Sequence, residues 1–174
     1  QHLSETIDIK KLEEAVNIIS ENSTIFVTGS RLSYTFSYFL GWSLSRIRKG
    51  VHTVKGSDTT SIDILTNAPE KSLVIMIATT RYPNELIKLS RFIRREGHTL
   101  LLITDNSMCP ILQFAQHFLQ VPINSIAYIG NTSNMMCTLK YIVQEIASRQ
   151  GEALEEHQKK LEQVYLENDI LFNF

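Results

Sequence analysis

The chain has 174 residues, 43% hydrophobic and 20% charged, with a formal net charge of −1. Such a near-neutral mixture of acids and bases leaves no global basic field to hold nucleic acid or an anionic membrane, so any anion site must be local. The length suits one domain of roughly 100 to 200 residues, and the longest apolar runs, Leu73 to Ala78 and Leu100 to Ile103, fall far short of the roughly 18 residues of a membrane span.

A soluble, cytoplasmic protein is the expectation, with no charged start and apolar core of a leader visible from Gln1 onward. Cys109 and Cys137 are too few and too far apart for a metal cluster, and both read as buried free thiols.

In chain order, Leu12, Ala15, Val16 and Ile19 have helical spacing, with Lys10, Lys11, Glu13 and Glu14 on the other face. Strands and helices then alternate. Candidate strands are Thr24–Thr28, Val51–Val54, Ser72–Ala78, Thr99–Ile103 and Phe118–Val121. Most are continuously apolar, as strands covered on both faces are, which predicts a parallel sheet. Between them, helices present Phe36, Leu40, Leu44 and Ile47, then Leu86, Ser90 and Ile93, with short helices near Ile62 to Leu65 and Pro110 to Ala115. Pro83 suits a first helical turn, and Gly50 and Gly97 suit left-handed helix ends. The segment Ile123 to Asn134 reads as a polar loop. Met135, Leu139, Val143 and Ile146 mark a long helix, and Leu154, Leu161 and Val164 continue a sparse apolar seam in a charged tail, a pattern that can cap its own domain or, the reading favoured, lie against a second subunit.

This alternation predicts an α/β fold, a three-layer α/β/α doubly wound five-stranded parallel sheet in the order 2-1-3-4-5. In that order the winding reverses between the first and third strands, and ligands bind beyond their carboxyl ends. Two similar loops lie there. Gly29, Ser30, Arg31, Leu32 and Ser33 follow the first strand, and Thr79, Thr80, Arg81, Tyr82 and Pro83 follow the third. Backbone N–H groups at helix starts, hydroxyl donors and two guanidinium groups together suit a phosphate. Ser57 and Asp58, after the second strand, could reach a sugar hydroxyl or simply cap a helix.

Other chemistries lack their residues. Gly29-Ser30-Arg31-Leu32-Ser33-Tyr34 has one glycine where a dinucleotide fingerprint needs three, the third strand ends in Ala78 and Thr79 rather than a phospho-acceptor aspartate, and no P-loop occurs. No cofactor or metal is expected. Glu85 is the acid nearest the crevice, although an acid in a first helical turn is also favoured by the helix dipole. Glu145 is a weaker candidate that a second subunit could present, and His52, His98 and His117 fall away from the strand-to-helix side.

Over nearly all its length the chain resembles a sugar isomerase (SIS) domain, specifically the ligand domain of RpiR-type transcription regulators. The family's Gly-x-Gly-x-Ser turn is matched by Gly29 and Ser33, with Arg31 in place of the second glycine. Its Ser-x-Ser-Gly-x-Thr-x-Glu segment corresponds to Ala78 through Glu85, which keeps Thr80 and Glu85 but puts Arg81 where glycine is usual. Thr104-Asp105-Asn106-Ser107 and Cys109-Pro110-Ile111 resemble a third conserved stretch of the family. The opening Leu3-Ser4-Glu5-Thr6-Ile7 and Leu12 to Val16 resemble the segment that joins a regulator's DNA-binding head to its SIS domain.

The resemblance implies residues 1–174 as one SIS-like domain with an N-terminal joining helix and a C-terminal helical tail, lacking the helix-turn-helix head through which DNA would be bound. It implies a non-catalytic homodimer that binds a phosphorylated sugar or related anionic metabolite through Gly29, Ser30, Arg31, Ser33, Thr79, Thr80, Arg81 and Glu85. A phosphosugar (aldose–ketose) isomerase and a degenerate SIS dimerisation module are the alternatives, because arginines replace two glycines that let backbone approach a phosphate.

Overall fold

The structure is a computed structural model that describes residues 7–56, 59–123, 125–126, 129–130 and 132–172. The Ser57 and Asp58 reading and the joining segment before Ile7 lie outside these residues.

Helix α1 (Ile9–Glu21) opens with Asp8, whose carboxylate accepts from the backbone N–H groups of Lys10 and Lys11, satisfying donors that a helix start leaves unpaired. Strand β1 (Ile25–Gly29), helix α2 (Leu32–Ser45), β2 (Val51–Lys55), α3 (Thr60–Thr66), β3 (Leu73–Ala78), α4 (Asn84–Arg95), β4 (Thr99–Thr104) and β5 (His117–Gln120) follow in the expected alternation. The sheet is parallel throughout and runs β2-β1-β3-β4-β5.

Alternate residues of each central strand feed opposite cores, as a period of two requires. Ile25, Val27, Ile75, Ile77, Leu101 and Ile103 pack with α1, α2 and a later helix, α5 (Ser133–Ser148). Phe26, Val74, Met76, Leu100 and Leu102 pack with α3 and α4. This is why the central strands are apolar without interruption. Edge strand β2 instead exposes His52 and Thr53.

Gly97, with φ 78°, is the left-handed end of α4 expected of it, whereas Gly50, with φ 75°, lies five residues past the end of α2, at the turn into β2. Pro83 is the residue immediately before α4, extended at φ −67° and ψ 139°, so its missing N–H removes no helical bond.

Four details differ from the sequence reading. The segment 123–134 holds a two-stranded antiparallel hairpin, β6 (Ser125–Ile126) with β7 (Ile129–Gly130), rather than only loop. The helix near Pro110 is a single 3-10 turn, Leu112–Phe114. Cys109 is buried, but Cys137 is exposed. Two residues along a helix is a turn of about 200°, so Cys137 faces away from buried Met135 and Leu139 on either side of it. Finally, α5 turns its apolar stripe into this chain's own core, while the last helix, α6 (Glu152–Glu167), has no buried residue.

Among the described residues no helix is long and apolar enough to cross a membrane.

Candidate functional site

Gly29 pairs with Ile77 in the sheet, so the loops after β1 and β3 leave its carboxyl edge side by side. Gly29 has no room for a side chain. A Cβ there would lie 2.5 Å from the Ser33 carbonyl oxygen, so glycine lets the first turn of α2 fold tightly over the end of β1.

The hydroxyls of the two loops are joined to each other and to acids. Ser33 Oγ and Thr79 Oγ1 are 3.1 Å apart, and the Thr79 backbone N–H donates to Ser33 Oγ at 3.2 Å. Ser30 Oγ donates to Glu85 Oε1 at 2.9 Å. Thr80 donates its backbone N–H to both oxygens of Asp105 at 3.0 Å and its hydroxyl to Oδ2, and Tyr82 donates its phenol to Oδ1 at 3.1 Å. Burial, with the Asp105 charge beside it, pushes the Tyr82 phenol up to about 12, so it remains a donor at any ordinary pH.

Arg31 and Arg81 are the unusual members. Their φ values are 55° and 72°, and Arg31 has ψ −129°, backbone that glycine occupies freely and other residues rarely do. Each such residue costs on the order of 1–3 kcal/mol. Both side chains are exposed, and neither guanidinium pairs with an acid or makes a side-chain hydrogen bond among the described residues. The loops thus keep the backbone shape of glycine while carrying two unspent cations.

Beside this crevice a cavity of about 330 Å³ lies between α3 and α4, lined by Gly56, Ser61, Glu85 and Lys88 among others. Glu85 therefore joins the loop network on one side and the cavity on the other. Of the residues expected at the site, Gly29, Ser30, Ser33, Thr79, Thr80 and Glu85 form one connected region, and Arg31 and Arg81 flank it.

Asp105, Tyr82 and Lys88 were not among them. Asp105 follows β4, the neighbour of β3, so its position at a strand's carboxyl end was the available signal. Glu145 lies in the last turn of α5, where its carboxylate is 4.0 Å from Arg149. The histidines are elsewhere: His98 is buried with Nε2 3.0 Å from the Leu65 carbonyl, His117 meets Glu14, and His52 stacks on Phe26.

The two loops thus place two exposed guanidiniums beside a network whose hydroxyl and amide donors are taken up by Ser33, Glu85 and Asp105. The family model for the SIS domain matches residues 18–147, three quarters of the chain and both loops. The chain belongs to the SIS domain family. Its fold is similar to the sugar isomerase domain of an RpiR transcription factor from Sphaerobacter thermophilus, at 21% identity and a TM-score of 0.81, covering 92% of this chain and 90% of that one. It is also similar to the Vibrio vulnificus NanR protein, solved with ManNAc-6P, at 15% identity and a TM-score of 0.79. The alignment covers 98% of this SIS chain but 65% of NanR, so the chain spans just under two thirds of that regulator. A hypothetical protein from Methanococcus jannaschii, inferred to be a 3-hexulose-6-phosphate isomerase, matches at 17% identity and a TM-score of 0.71, covering 87% and 84% of the two chains. The SIS fold therefore occurs in both regulators and isomerases. A search of curated protein sequences finds no significant match.

Proposed function

We propose that this SIS chain is the phosphosugar-binding effector domain of an RpiR-type transcription regulator, a non-catalytic homodimer acting in the cytoplasm. The observation that carries the reading is the pair Arg31 and Arg81, held in glycine-type backbone with unpaired guanidiniums at adjacent strand ends. Two guanidiniums at adjacent strand ends, without a partner among the described residues, attract an anion. The NanR structure is a complex with ManNAc-6P, which supports a phosphorylated sugar as the ligand class here.

The acids near the crevice support binding over turnover. Glu85 accepts from Ser30, and Asp105 accepts from Thr80 and Tyr82, so both spend acceptor capacity on holding the loops. DNA would be contacted by a helix-turn-helix head outside this sequence.

The isomerase reading rests on Glu85 lining the 330 Å³ cavity, where it could move a proton between adjacent sugar carbons. The test is calorimetric titration with a panel of sugar phosphates, alongside an isomerisation assay. Arg31→Ala and Arg81→Ala should each weaken phosphosugar binding about tenfold or more, the loss of one charge-assisted pair. Unchanged affinity in both variants would refute the site, and turnover lost in Glu85→Gln would replace the sensor with an isomerase.

A further inference from the structure

A second cavity lies at the other end of the sheet. It holds about 690 Å³ and opens where α1, α2 and α5 end and α6 begins, next to Ser23, which precedes β1. The crevice described above lies beyond the far end of β1, a five-residue strand that spans about 17 Å. The two sites are therefore separate.

Ile47 and Ile146 are buried residues of its lining. Around them stand Arg48, Lys49, Arg149 and Lys160 against a single acid, Glu156. Part of this charge has a structural explanation. Arg48 donates to the carbonyls of Ile19 and Asn22 and so caps α1, and burial pulls its pKa down. Arg149 donates to Asn17 Oδ1 at 2.7 Å. The rest is unspent: Lys49 and Lys160 make no ion pair among the described residues.

His157 Nε2 donates to the Ser45 carbonyl at 2.9 Å and so helps tie α6 to α2. Helix α6 is weakly held, with no buried residue and its polar anchors to α2 made by His157, Gln158 and Tyr165.

We infer that this cavity is a second anion site, for a small molecule carrying two or more phosphoryl or carboxylate groups, whose occupancy fastens α6 to the rest of the domain. The volume falls in the range of small-ligand pockets, roughly 300–1,000 Å³, and is too small for a macromolecule. Two or more anionic groups match the two lysines of the lining that make no ion pair among the described residues, Lys49 beyond the end of α2 and Lys160 on α6. The site is independent of the phosphosugar reading.

The probe is inorganic pyrophosphate, titrated calorimetrically into the whole chain, with hydrogen exchange followed over residues 152–167. Three proteins are compared: the unaltered chain, Lys49→Glu/Lys160→Glu, and Arg31→Ala/Arg81→Ala. Both lysines are exposed, so their reversal should leave the melting temperature unchanged. The expected result is a binding component that slows α6 exchange several-fold, is weakened at least tenfold in Lys49→Glu/Lys160→Glu, and survives in Arg31→Ala/Arg81→Ala. Absence of pyrophosphate binding at millimolar concentration would overturn the inference. So would binding that Lys49→Glu/Lys160→Glu retains, that only Arg31→Ala/Arg81→Ala removes, or that leaves α6 exchange unaltered.

Discussion

Arg31 sets stability and binding against each other. Arg31→Gly should relieve about 1 kcal/mol or more of backbone strain, raising the melting temperature by roughly 2–4 °C in a chain of this size, while weakening phosphosugar binding; thermal melts and titrations of the one variant check both. Asp105 acts in the opposite sense, since its carboxylate holds the Thr80 N–H and hydroxyl that a phosphate would otherwise use. Asp105→Asn keeps an acceptor and removes a like charge worth about 1 kcal/mol at such range, so phosphosugar affinity should rise about fivefold to tenfold. Lower affinity would make Asp105 a required scaffold instead. Tyr82 gives a spectroscopic handle: its phenol prefers the protonated form in the fold, a contribution complete below pH 10 and lost as pH climbs to about 12. An ultraviolet titration should show one tyrosine ionising near 12, missing in Tyr82→Phe. At this scale the sequence was only partly legible. Arg31 and Arg81 stood out because the family has glycine there; Asp105 lay at a strand's carboxyl end in a stretch that resembles the family, but its contact with Thr80, 25 residues away, was not legible locally.

Among elements, the junction of β1 and α2 is where fold and site meet. Gly29→Ala forces a Cβ against the Ser33 backbone, and Ser33 is the residue that bonds Thr79. The expected cost is about 1–3 kcal/mol of stability, read as a drop in melting temperature, together with weaker phosphosugar binding. Helices α1, α2, α4 and α5 were legible because their apolar positions recur at helical spacing, and α4 stops at Gly97. The β6–β7 hairpin was not, since two-residue strands are too short for any alternation to register. In α3 Ser61 and Leu65 face inward, and Ile62 and Ile64 are exposed. Exposure of that pair follows from the short helix resting on α4 by one side only.

For the whole molecule, the sheet order was legible because continuous apolar strands demand cover on both faces, and right-handed crossovers then leave few arrangements. That order, taken as the one five such strands suit, put the two loops after β1 and β3 together without appeal to a family. Dimerisation and the regulator role depend on surfaces and partners, which strand and helix periodicity does not encode. The central claim is that the crevice binds a phosphorylated sugar. It is tested most directly by a thermal-shift panel of sugar phosphates, each paired with its bare sugar and with inorganic phosphate. A ligand at a hundred times its Kd should stabilise the fold by about 2.7 kcal/mol. The account predicts a shift with one phosphosugar that its bare sugar and phosphate do not reproduce and that Arg31→Ala/Arg81→Ala abolishes; a panel that leaves the melting temperature unmoved would contradict it.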